Sequence, residues 1–404
     1  MMQTLPVRQL QKTPLESLWY LHKQPPAFDS LRAVIAQIYR RDDPKTLLRH
    51  VDAWLYRIWA VFFGAMAALI FIWLRRRVGT AWAFWAAVFW ILHPSPICYA
   101  TILDSTFVSS FGVLWFFYEL WKMNKPDGSV VRLALACLFV FFTRTLFQWY
   151  FFPVLGFSLF LLDVSRKRIL SFMLMVLIFA GGYIAKQYFV FGTTSTTTFA
   201  GYQACGLIWY EPTMTEILGL KTKIKAVYPE GAVIYANAKY NTKAKWEDDF
   251  VYLEIFRERL RRYPKECWEG IQKSVRQNWA RYWRPSFEYV EAGRHALIER
   301  LGWRKFYEFI FSGLSLVVLL GGLGFAWFFR RFKAHGFPPK GLRSAAALLL
   351  PFAYIFSISL LCNIKEWGEV ERVKFFLEPV FYVFIVAQIH DTVADFRKRR
   401  FLVK

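Results

Sequence analysis

Several charged side chains lie beside apolar runs of near-membrane length, where an unpaired charge is costly and each one calls for a partner. Arg144 sits between two such runs in Phe141-Phe142-Thr143-Arg144. A guanidinium there can bind a phosphate through two parallel hydrogen bonds, or extend to the interface. Lys23 follows His22 and precedes Pro25-Pro26, which fix the local backbone. The held cation suits a phosphate or pyrophosphate; a solvated lysine is the plainer reading. Lys186, near the end of another apolar run, has the two readings of Arg144. Arg372 stands with Glu369, Glu371 and Lys374 before a late apolar run. It can bind a phosphate with a glutamate orienting it, or join a local ion-pair cluster. Asp104 opens an apolar run, where it could hold an acceptor hydroxyl, a metal or a nearby Arg, or could cap a helix. His93 in His93-Pro94 is either a lipid-phosphate contact or a plain helix end.

Positioning these groups requires many helices. Of the 404 residues, 56% are hydrophobic and 20% aromatic, more apolar mass than a soluble surface can accommodate. About 20 apolar residues cross a bilayer as a helix. The sequence predicts an all-α polytopic bundle of nine spans, near 54–74, 80–93, 104–121, 129–143, 146–163, 169–190, 307–329, 344–362 and 375–391. The small residues Gly64, Ala65, Ala67 and Ala68 favour close packing of the first span.

The chain carries 52 Lys+Arg against 29 Asp+Glu, a net charge of +23. Anionic lipids, nucleic acid or an acidic substrate would each answer such an excess. Alternation of the spans sorts much of it. One set of connections holds Arg75–Arg77, Lys122, Lys125, Arg132, Arg166–Arg168, the cations of 330–343 and those of 397–404, nineteen in all. The short connections of the other side hold four: Arg144, Lys365, Arg372 and Lys374. The positive-inside rule then puts the C-terminus in the cytoplasm and residues 191–306 outside. Cations that follow topology instead of forming one patch argue against nucleic acid.

Residues 1–50 would also lie outside, yet they hold eight Lys/Arg and no signal peptide. A transmembrane helix upstream of residue 1 is expected; a genuine outside N-terminus is the alternative. Within 1–50, apolar residues at helical spacing are interrupted at Pro25-Pro26, predicting two short amphipathic helices on the outer membrane surface. The organisation is therefore an interfacial segment 1–50, six helices over 51–190, a helical extracytoplasmic loop domain 191–306, and three helices with a basic tail over 307–404. In the loop, 248–262 and 265–283 each place apolar residues on one face and predict amphipathic helices. Cys205 and Cys267 both fall there and read as unpaired thiols, a disulfide being the alternative; the six histidines form no zinc pattern.

Four stretches carry a likeness: Leu21-His22-Lys23-Gln24-Pro25-Pro26-Ala27-Phe28; His93-Pro94 followed by Tyr99 and Leu103-Asp104-Ser105; Thr143-Arg144; and Glu371-Arg372 followed by Val-Lys-Phe-Phe-Leu-Glu-Pro. In this order they resemble membrane glycosyltransferases of the GT-C type, in the branch of protein O-mannosyltransferases and bacterial aminoarabinose transferases. The likeness covers most of 18–190 and 365–390. It implies a cell-membrane enzyme that takes a sugar from a polyprenyl-phosphate donor and passes it, with inversion, to an extracytoplasmic glycan, lipid or protein. Lys23, Arg144 and Arg372 would bind the lipid phosphate, and Asp104 would be the catalytic carboxylate. His22, His93, Tyr99, Lys186 and Glu371 would be candidate substrate contacts. No cofactor is assigned, and a divalent cation is left open. The family's main catalytic acid follows its first helix, upstream of the Pro-Pro segment. Here the nearest upstream acid is Glu16, so either an acid-bearing helix precedes residue 1 or the chain is an inactive relative. Two other functions compete: a transporter or flippase for a lipid-linked sugar, and a non-catalytic membrane partner.

Overall fold

A computed structural model describes residues 5–145, 147–222, 228–230, 232, 241–282, 339–361 and 369–402. Among these residues the secondary structure is helical throughout. Three helices form the opening segment: α1 (Val7–Lys12), α2 (Pro14–Trp19) and α3 (Ala27–Ile38). The bundle follows with α4 (Pro44–Val78), α5 (Thr80–Leu92), α6 (Pro94–Ala100), α7 (Ser105–Lys122), α8 (Val130–Thr143), α9 (Phe151–Leu161) and α10 (Arg166–Phe191). A π turn at Leu177–Gly181 interrupts α10. The loop domain supplies α11 (Ala200–Leu207), α12 (Met214–Lys221), α13 (Lys243–Arg262) and α14 (Pro264–Tyr282). Two more helices, α15 (Pro339–Leu361) and α16 (Glu369–Leu402), rejoin the bundle.

The span count differs from nine. Among the described residues three helices are long and apolar enough to cross a membrane: α4, α10 and Arg372–Ala394 within α16. A fourth arises if α5 and α6, bent by 53° at His93-Pro94, are one broken span. The apolar helices α8, α9 and Ala346–Ile358 are shorter. At 1.5 Å per residue the 14 residues of α8 reach about 21 Å, against a core of about 30 Å. In α7, buried Ser109, Ser110, Glu119 and Lys122 dilute the apolar run. The apolar runs of the shorter helices are only partly buried against other helices, with Leu135, Phe157, Phe160 and Leu349 exposed, and hydropathy marks such a run without setting the length of its helix. The expected span at 307–329 lies outside the described residues.

The helix α7 is the centre of the bundle and packs on α4, α8 and α16. Gly112 permits the approach of α8: a Cβ there would lie 2.7 Å from the Phe139 ring. Ser110 Oγ donates to the Phe375 carbonyl at 2.9 Å, tying α7 to α16. The first segment is not a loose tail. Leu5, Val7 and Leu10 are fully or nearly fully buried, and Arg32, held by Asp29 at 2.6 Å, donates to the Leu5 carbonyl. The break expected at Pro25-Pro26 separates α2 from α3.

Helix direction sorts the charges into two ends. Arg76 meets Asp127 at 2.9 Å, Arg77 meets Asp391 at 2.7 Å and Arg343 meets Asp163 at 3.5 Å. Arg168 donates to the Gly128 carbonyl at the same end. The other termini of α7, α8, α10 and α16 bring Asp104, Arg144, Lys186 and Arg372 to the opposite end, under the loop domain.

Candidate functional site

The segment between α2 and α3 is clasped by parts of the chain far away in sequence. Asn241 Nδ2 donates to the Tyr20 carbonyl, while its Oδ1 accepts from the amides of His22 and Lys23 at 3.1 and 3.2 Å. The Thr198 amide donates to the His22 carbonyl at 3.0 Å, and Thr197 Oγ1 donates to the Lys23 carbonyl at 2.5 Å. Gln148 holds the threonine run by donating to Thr196 Oγ1 and accepting from the Thr196 amide. Lys186 Nζ donates to the Leu21 carbonyl at 2.9 Å. His22 is fully buried, with Nδ1 at 2.7 Å from Thr198 Oγ1 and Nε2 at 3.3 Å from Tyr228 Oη. Burial, reinforced by Lys186 and Lys23, pushes its imidazole down to about 3, so it is neutral and structural at physiological pH.

This clasp leaves the Lys23 side chain pointing outward over the Phe199 ring, 3.5 Å from its centroid. Arg144 is brought to the same place from the bundle. It ends α8 in an extended conformation, donates from Nη1 to Ser105 Oγ at 3.2 Å, and lies over the Phe376 ring. Lys23 and Arg144 line one cavity of about 300 Å³. Ser105, Thr143 and Thr145 line its bundle side; Tyr202, Gln203, Lys245, Asp248, Asp249 and Tyr252 line the side made by α11 and α13. It brings the cations of Lys23, Arg144 and Lys245 together with the carboxylates of Asp248 and Asp249, at the boundary between bundle and loop domain.

Compared with protein families, curated proteins and solved structures, the chain matches none.

Asp104 and Arg372 do not line the cavity; they meet one another beneath it. Asp104 caps α7, accepting from the Thr106 amide at 2.8 Å, and its Oδ2 lies 3.3 Å from Arg372 Nη2. Arg372 Nε also donates to Thr106 Oγ1 at 3.3 Å. Both the capping and the nearby-arginine readings of Asp104 thus hold at once. Tyr99 is buried and stacks on Phe375 at 4.1 Å, and His93 is buried at the α5–α6 bend, stacked on Trp90. Neither lines the cavity. Glu371 falls in α16, but its side chain lies outside those described. Cys205 and Cys267 are both buried free thiols. Among the described residues no group of three or more His, Cys, Asp or Glu converges on one point.

Asp249 is the residue that sequence reasoning passed over. It is 6% exposed, and its Oδ1 accepts from the Gly201 amide at 2.7 Å. A Cβ on Gly201 would lie 2.2 Å from the Asp249 carbonyl, so only glycine lets α11 come this close to α13. A signal was present: Asp249 lies three residues after Trp246 and four before Leu253, at the edge of the apolar face of its helix.

Proposed function

We propose that the chain transfers a sugar from a polyprenyl-phosphate donor to a hydroxyl-bearing acceptor at the outer face of the cell membrane. The observation that carries this reading is the convergence of Lys23 and Arg144 on one cavity. They come from segments 121 residues apart in sequence, yet both belong to stretches that resemble GT-C enzymes. The cavity's place also supports the reading. It lies at the end of the bundle away from the Arg76–Asp127 and Arg77–Asp391 pairs, between the apolar helices and the loop domain. There a lipid tail stays among the helices while its phosphate reaches the cations.

In this mechanism Arg144 and Lys23 hold the donor phosphate. As the bond from the anomeric carbon to the phosphate oxygen breaks, negative charge grows on that oxygen, and fixed cations in a partly desolvated site stabilise it. Inversion requires the acceptor to attack opposite the leaving group, and in this mechanism it enters along α11 and α13. The buried Asp104–Arg372 pair acts one step back. It fixes the start of α7 against α16 and so holds Ser105, to which Arg144 donates. Lys186 is likewise a positioning residue, acting through the Leu21 carbonyl.

The test is sugar transfer in membranes from a polyprenyl-phosphate sugar donor to membrane acceptors. Lys23→Ala and Arg144→Ala should each lower kcat/KM about 10²–10³-fold, the scale for losing one stabilising donor. Unchanged transfer in both variants would sink the site. Donor binding without any transfer would favour the carrier or non-catalytic partner.

A further inference from the structure

We infer that Asp249 is the group that takes the proton from the acceptor hydroxyl. The inference rests on the transferase reading above and adds a residue to it. The cavity joins two kinds of chemistry. Arg144 and Ser105 come from the bundle and Asp248 and Asp249 from α13, while Lys23, over the Phe199 ring and close enough to attract the Asp249 carboxylate, stands between them. Leaving-group charge develops beside the cations, so the proton has to depart to a carboxylate.

Asp249 is built to receive it. The Gly201 and Tyr202 amides hold the carboxylate, using about half of its roughly four acceptor positions. The remaining positions can meet a hydroxyl in the cavity that Asp249 lines. Asp248 is less suited, because it is engaged by Lys221 at 2.8 Å. Burial outweighs the two amides and the attraction of Lys23, and pushes the Asp249 carboxyl up to about 7. The charged groups around it are Lys23 from the segment between α2 and α3, Arg144 from the end of α8, and Lys245 and Asp248 from its own helix. A base tuned near working pH is ionised in useful amount and still binds the proton well.

The step balances. The acceptor oxygen forms a bond to the anomeric carbon, and its proton passes to a carboxylate oxygen of Asp249. The bond from the anomeric carbon to the phosphate oxygen breaks, and its electron pair stays on the phosphate facing Lys23 and Arg144. The proton later leaves Asp249 for solvent.

The test compares wild type with Asp249→Asn, which keeps an oxygen for the Gly201 amide but cannot accept a proton. Two quantities are read in detergent: binding of sugar-free polyprenyl phosphate, and transfer from the polyprenyl-phosphate sugar across pH 5–9. The inference expects binding within about twofold of wild type and transfer reduced about 10²–10⁴-fold. It also expects wild-type transfer to rise with pH through about 7, and the residual Asn activity to lack that rise. Transfer above a tenth of wild type would overturn it, as would loss of lipid-phosphate binding together with transfer. A wild type that transfers nothing would overturn the transferase reading and this inference with it.

Discussion

Asp104 and Arg372 stand 268 positions apart in sequence and meet at 3.3 Å beneath the cavity. The Arg372 side chain is 1% exposed and that of Asp104 13%. Removing one member of such a pair leaves an uncompensated charge, at a cost of about 3–5 kcal/mol. Arg372→Met should therefore lower the thermal unfolding midpoint in detergent sharply. Adding Asp104→Asn should recover part of the loss, with a coupling of about 1 kcal/mol or more. Simple additivity of the two losses would count against the pair.

Gly201 should tolerate no side chain. In Gly201→Ala the new Cβ would lie 2.2 Å from the Asp249 carbonyl and 2.6 Å from the Leu253 amide nitrogen, both backbone atoms that cannot turn aside. We expect α11 to separate from α13, with a stability loss of about 1–3 kcal/mol from overpacking and a loss of transfer. Gly219→Ala is the control, since nothing lies within 4 Å of its Cβ position. It should be neutral, or stabilising by up to about 1 kcal/mol through helix propensity. Equal unfolding midpoints for the two variants would refute the close approach.

Asp249 should also leave a mark on stability as a function of pH. Its carboxyl lies at about 7 in the folded chain against an ordinary value of 3.8. Between those values the folded state holds a proton that the unfolded state has released, so stability falls as pH rises through this window. His22, pushed down to about 3 from 6.5, acts in the opposite sense: its contribution is lost as pH falls from 6.5 towards 3. His22 cancels when wild type is compared with Asp249→Asn. Chemical unfolding at pH 4 and pH 8 should give the Asn variant the greater advantage at pH 8, of the order of a few kcal/mol. An advantage that does not change with pH would contradict the raised carboxyl.

The two ends of the bundle should face opposite compartments. Residues 126 and 243 are exposed, one at the Arg-rich end and one in the loop domain. Of the native thiols, Cys98, Cys137, Cys205 and Cys267 are buried, and Cys362→Ala removes the fifth. In that background a membrane-impermeant maleimide should label Lys243→Cys in intact cells and Pro126→Cys only after permeabilisation. The reverse pattern would invert the orientation.

What could be read from the sequence followed the range of each interaction. Lys23 and Arg144 could be picked out because local features mark them: a Pro-Pro pair beside one, apolar runs on both sides of the other. Asp104 and Arg372 were also visible singly. Their partnership was not, because it depends on α7 lying against α16. Asp249 is hidden for the same reason. It sits among Lys245, Glu247 and Asp248 in an amphipathic helix, and its burial is decided by Gly201, 48 residues earlier. The span count differs where α8 and α9 stop at 14 and 11 residues, because hydropathy marks an apolar run without setting where its helix ends.

At 35 residues α4 runs about 52 Å without a break, well beyond the hydrocarbon thickness of about 30 Å. Its far end is fastened through Arg76 and Arg77 to Asp127 and Asp391, and its near end packs on α3, from which the Lys23 turn hangs. Arg144 hangs instead from the much shorter α8. A long and a short rod embedded side by side tilt by different amounts when the bilayer thickens or thins. The two cations are thus carried by rods of very different length, so any change in the relative tilt of α4 and α8 changes the gap between Lys23 and Arg144.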